Sequence, residues 1–163
     1  MYRTITFRGN RIDTGETVYG SLYVENNNSL KGIFHEDYYI RTGNTDNTRL
    51  DMFKVDPDTI GQFTGLYDAN ENPIYENDIL LLKTKNFYRL FKVVYGTTKR
   101  QVELPNCFEK GDKPNIVEFN GWLFRLIYTS EDENADKIDL LPNVYDDVPD
   151  YKAMTVIKPD NFE

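Results

Sequence analysis

The chain has 163 residues, enough for one domain that buries a core without covalent staples. Twelve Tyr and ten Phe against three Ala (Ala69, Ala135, Ala153) favour strands and turns over helices. A single Cys (Cys107) and a single His (His35) exclude an intrachain disulfide, a His-rich metal site and a His pair.

Residues 2–8 and 17–24 read as two strands, joined by the turn residues Gly9-Asn10 and Asp13-Thr14-Gly15. Val18, Gly20, Leu22 and Val24 fall on one face at period two. The first ten residues lack an apolar segment of signal-peptide length, and no run reaches the roughly 18 apolar residues of a membrane span. With an unpaired thiol, the expectation is a cytoplasmic protein that does not enter a membrane. Residues 30–34 and 38–41 predict a second, short hairpin, and 43–47 an exposed loop.

The most informative stretch is Val55-Asp56-Pro57-Asp58-Thr59-Ile60-Gly61-Gln62-Phe63-Thr64-Gly65-Leu66. Pro57 fixes φ and pushes Asp56 out of the helical region, and two glycines flank a short extended piece at 62–64. Residues 68–73 predict a turn, and Ile79-Leu80-Leu81-Leu82 a strand buried on both faces. Residues 87–95 predict a further strand ending at Gly96. Asn120-Gly121, between 116–119 and 122–128, has the composition of a two-residue type I′ hairpin turn. Trp122, Phe124, Leu126 and Tyr128 then share a face, as core or interface. Met154-Thr155-Val156-Ile157 predicts a closing strand.

Four blocks in this order resemble the YopX-like proteins of phages and prophages: Phe7-Arg8-Gly9, Tyr19-Gly20-Ser21-Leu22, the block from Val55 to Leu66, and Ile74-Tyr75-Glu76-Asn77-Asp78-Ile79-Leu80. The family usually carries Gly where this chain has Glu71 and Asn77. Asn tolerates the left-handed region and Glu does so poorly, so the turn before Ile74 is expected to differ. The resemblance implies a mainly β protein with little helix, built as a small SH3-like or related barrel with hairpin extensions. It implies one domain over 1–163, with 1–54 and 129–163 as peripheral elements around a 55–128 core. It also implies a phage or prophage origin, hence the cytoplasm of a bacterial host, and it carries over no catalytic residues.

The chemistry-bearing residues are few. Cys107 and His35 make a formal dyad with no motif around it. Asp56, Asp58, Glu76 and Asp78 offer either a carboxylate-based metal or acid–base site or plain turn and cap roles, and the expectation is turns and caps, with no metal and no cofactor.

Charge is the remaining signal. The net charge is −8, yet residues 131–150 alone carry −7, and residues 83–100 contain Lys83, Lys85, Arg89, Lys92, Lys99 and Arg100 without an acid. The expected interaction surface comprises Lys83, Lys85, Arg89, Lys92, Trp122, Phe124, Asp146 and Asp147. The expected function is a non-catalytic binding or assembly module, a homo-oligomer in contact with a phage or host protein. A nucleic-acid-associated protein using 83–100 is the alternative, since cations there interleave with Phe87, Tyr88, Phe91 and Tyr95. The sequence pI near 4.7 opposes unspecific affinity for a polyanion.

Overall fold

A computed structural model describes residues 5–28, 34–43, 50–102, 115–130, 139–140 and 152–157. The chain divides into two compact units, Met1–Leu66 with Pro73–Glu76, and Tyr67–Asn72 with Asn77–Glu163. Strands dominate both, and among the described residues no helix is long and apolar enough to cross a membrane.

The first unit is a six-stranded antiparallel sheet of β1 (Phe7–Asn10), β2 (Thr17–Asn28), β3 (Phe34–Gly43), β4 (Leu50–Lys54), β5 (Gly61–Tyr67) and β6 (Pro73–Tyr75), in the order β4-β3-β2-β1-β5-β6. Its core is Val18, Ile40 and Val55, with Phe7, Leu22, Tyr38, Phe53 and Ile60 packed around them. The period-two face read on β2 is real, but it runs out at Val24, which is exposed. Gly20 is obligatory where β2 meets β3. A Cβ there would lie 2.0 Å from the Arg41 carbonyl oxygen. The expected second hairpin at 30–34 and 38–41 gives way to one long β2–β3 hairpin, whose tip at 29–33 lies outside the described residues. The expected loop at 43–47 also lies largely outside them, and β4 follows it.

The second unit is a five-stranded antiparallel sheet of β7 (Ile79–Lys83), β8 (Tyr88–Val102), β9 (Asn115–Thr129), β10 (Asp139–Leu140) and β11 (Thr155–Ile157), in the order β10-β9-β8-β7-β11. Leu80, Leu82, Phe91, Val93, Trp122, Phe124 and Leu126 are buried on one face. The closing strand after Met154 is present as β11 on β7.

Three expectations need correction. Among the described residues there is no closed barrel: both sheets end in short edge strands, β4 and β6 in the first, β10 and β11 in the second, and closure would need those edges to pair. Asn120-Gly121 is not a turn. Gly121 faces Gly96 and Asn120 faces Thr97, so β9 runs straight through the dipeptide and β8 continues past Gly96 to Val102. A long cross-strand ladder outweighs a two-residue turn preference. Finally, Tyr128 does not extend the Trp122, Phe124, Leu126 stripe. Phe91 pairs with Leu126 but Leu90 pairs with Tyr128, so Ile127 is an extra residue and the bulge turns Tyr128 to the opposite face.

Candidate functional site

The block from Val55 to Leu66 is occupied with holding its own backbone. Asp56 caps a 3-10 turn at Pro57–Thr59, its carboxylate accepting from the Asp58 N–H at 3.1 Å. The Thr59 hydroxyl donates to the Asp56 carbonyl (2.7 Å) and accepts from the Asn10 N–H (2.8 Å), tying the turn to β1. Gly61 leaves room for the Glu76 carbonyl, which a Cβ would approach to 2.5 Å. That carbonyl also accepts from the Arg8 guanidinium at 3.4 Å. The buried Thr64 hydroxyl donates to the Ile74 carbonyl at 2.8 Å.

The turn at 68–73 is organised by Asp68, which is buried. Its carboxylate accepts from the N–H groups of Asn70 (2.9 Å), Asn72 (2.7 Å) and Val156 (2.9 Å) and from the Asn72 amide (3.1 Å). Burial pushes this carboxyl up, but the Val156, Asn72 and Asn70 donors together outweigh it and hold it below the usual carboxylate range. Glu71 and Asn77 adopt positive φ of 63° and 68°. Both residues therefore take the left-handed conformation that glycine adopts most easily, and Glu71 does so in spite of its side chain.

Of the candidate carboxylates, Asp58 is exposed, Glu76 is half-buried, and Asp78 is buried with its carbonyl accepting from the Val93 N–H at 2.9 Å. Among the described residues no three His, Cys, Asp or Glu side chains come together as metal ligands would. His35 lies in β3, and Cys107 lies outside the described residues.

The basic segment resolves into two faces of the second sheet. Side chains alternate along β8, and directly paired residues share a face. Lys83 pairs with Tyr88, Leu81 with Leu90 and Tyr128, and Ile79 with Lys92 and Arg125. One face thus carries Lys83, Lys92 and Arg125 around a tyrosine pair. Tyr88 and Tyr128 stack at 5.3 Å between centroids and 26° between planes, with hydroxyls 3.3 Å apart, and both are exposed. Lys85 sits at the tip of the β7–β8 turn, where the Thr84 hydroxyl accepts from the N–H groups of Asn86 and Phe87.

Arg89 belongs to the opposite face, its guanidinium 4.5 Å from the Phe87 ring. Trp122 (8% exposed) and Phe124 (fully buried) lie on that face too, as packed core and not open surface. Lys99 pairs across the ladder with Glu118 at 3.4 Å. Asp146 and Asp147 lie outside the described residues. The acidic stretch enters the description only at β10, where Asp139 takes the register position beside Arg125.

Reading the sequence missed Arg125 and Tyr128 as members of this surface. They belong to a different strand from the basic segment, and the one-residue bulge that places Tyr128 has no local signature. The surface offers positive charge and stacked aromatic rings.

No curated protein and no solved structure matches the chain. The sequence model of the family described as YopX protein matches residues 6–124, the span that contains the Asp56 cap, the Asp68 turn and most of the β8–β9 ladder, and on that match the chain belongs to the YopX protein family.

Proposed function

We propose that this protein is a non-catalytic binding module of a phage or prophage, working in the cytoplasm of a bacterial host and docking onto an acidic protein surface. The observation that carries the reading is the face of the second sheet on which Lys83, Lys92 and Arg125 surround the exposed Tyr88–Tyr128 pair. Lys92 and Arg125 stand directly opposite one another, with Asp139 at the register position on the other side of Arg125. Tyrosine and arginine are the side chains that most often anchor protein interfaces, and clustered cations steer an acidic partner toward them.

The test is affinity capture from induced host cells with the wild type and with a Lys83→Glu/Lys92→Glu/Arg125→Glu variant. The reading expects a partner held in low salt, released in high salt and absent with the variant. Equal recovery by both proteins overturns it. Single-stranded nucleic acid is the second reading, favoured by the stacked tyrosines amid cations. It predicts salt-sensitive binding of an oligonucleotide that quenches Tyr fluorescence and is lost in Tyr88→Ala/Tyr128→Ala.

A further inference from the structure

An open sheet edge is a row of backbone donors and acceptors able to take up another strand. In the first sheet, β6 opens on Pro73, which has no N–H to offer, and the Lys54 carbonyl of β4 accepts from the Ile12 N–H at 3.1 Å. The β11 edge of the second sheet is closed in another way. β11 pairs with β7 on one side, and on the other it meets the turn that begins at Asp68, within the same unit. The Ala69 N–H donates to the Met154 carbonyl at 2.8 Å, and the Val156 N–H donates to the Asp68 carboxylate at 2.9 Å. One residue of a parallel neighbouring strand makes this same pair of bonds. Its N–H goes to the residue before its partner, and its carbonyl accepts from the residue after. With Thr155 as the partner, those two residues are Met154 and Val156. The turn therefore stands in for one residue of a further strand, with an Asp68 carboxylate oxygen in place of a backbone carbonyl. Asp68 is 6% exposed, and its other oxygen is held by the Asn70 and Asn72 N–H groups, which fixes the carboxylate toward the edge.

We propose that the 68–72 turn is an edge guard, an internal strand mimic that keeps the second sheet from adding an extended segment at β11. The guard acts on the side of β11 that the ladder does not use. The Val156 N–H points away from β7, so by alternation Thr155 and Ile157 supply the bonds to that strand. Withdrawing the Asp68 carboxylate thus leaves the β7 pairing in place and uncovers a donor at Val156 in an apolar, β-branched strand. Such an edge is a template for pairing with another chain. Closing it with a buried acid also disfavours entry of a foreign strand, whose own carbonyl would meet that carboxylate. The inference concerns an edge, not the face that carries Lys83, Lys92 and Arg125, and it stands independently of the docking proposed above.

Removing the guard by two routes tests it. In Asp68→Ser a hydroxyl still accepts from the Asn70 N–H and holds the turn, but the second oxygen, the one on Val156, is gone. Asp68→Ala removes both. Sedimentation velocity at matched concentrations compares each variant with the wild type. Both variants should self-associate at least about tenfold more readily than the wild type. Adding Val156→Pro to either should restore the wild-type sedimentation, because that substitution suits an edge strand and leaves no N–H for another strand to take. Val93→Ala, a core change in the same sheet that leaves the guard in place, should sediment as the wild type does. Asp68 variants that sediment like the wild type overturn the inference. So does association that persists after Val156→Pro is added, since a loosened core and not an open edge then drives it. Association of Val93→Ala to the same extent as Asp68→Ser overturns it for the same reason.

Discussion

Asp68 shows how much one side chain can organise. Four donors converge on its buried carboxylate, three from its own turn and one from Val156 in the last strand. Asp68→Asn keeps the shape but replaces one acceptor oxygen by a donor aimed at N–H groups. It should destabilise the second unit by about 2–3 kcal/mol, read by chemical denaturation. The pH dependence follows from the lowered folded-state value. The stabilisation is present above the ordinary carboxylate pKa of about 4 and is lost as pH falls through the folded value. Acidification below about pH 4 should therefore weaken the wild type more steeply than Asp68→Asn. Glu71 makes the opposite case. At φ 63° it pays a left-handed penalty of roughly 1–2 kcal/mol. Glu71→Gly removes that penalty and adds unfolded-chain entropy of about 0.5–1 kcal/mol. A net gain of about 0.5–1 kcal/mol should appear in the melting temperature.

At the scale of elements, two glycines separate turn chemistry from strand chemistry. Gly121 lies within β9 opposite Gly96, and a Cβ added to it meets no atom within 4 Å. Gly121→Val should be neutral or stabilising by up to about 1 kcal/mol, since a β-branched residue suits a strand. Loss of several degrees in the melting temperature would restore the turn at Asn120-Gly121. Gly20→Ala should lose about 3 kcal/mol, because its Cβ would collide with the fixed Arg41 carbonyl. In the sequence Gly20 stands in an alternating run and Gly121 in a turn-like dipeptide, yet both lie within strands. What distinguishes them is the backbone that lies alongside, and that backbone comes from a distant part of the chain. The bulge at Ile127 is of the same kind. It decides which face receives Tyr128, and nothing within residues 122–128 announces it.

At the scale of the molecule, each unit has a core of its own, Val18–Ile40–Val55 in the first and the Phe91–Phe124–Leu80 face in the second. Trp122, the sole tryptophan, reports on the second. Ile40→Ala should lose about 2–5 kcal/mol from the first unit. Circular dichroism should then register melting at lower temperature than Trp122 fluorescence does, and coincident transitions would show a single cooperative unit. Composition and period-two patterning were enough to determine the mainly β class, the β2 core face, the turn at 68–73 and the final strand, because these depend on which residues fit a half-buried pleat or a positive φ. The Val55–Leu66 block and its neighbours were enough to determine the family. Only the tertiary structure decided that the sheets stay open, that Asn120-Gly121 is strand, that Trp122 and Phe124 are core, and that Lys83, Lys92, Arg125, Tyr88 and Tyr128 share a face. Each of these turns on register between strands far apart in the chain, and a shift of one residue moves every side chain to the other side of the sheet.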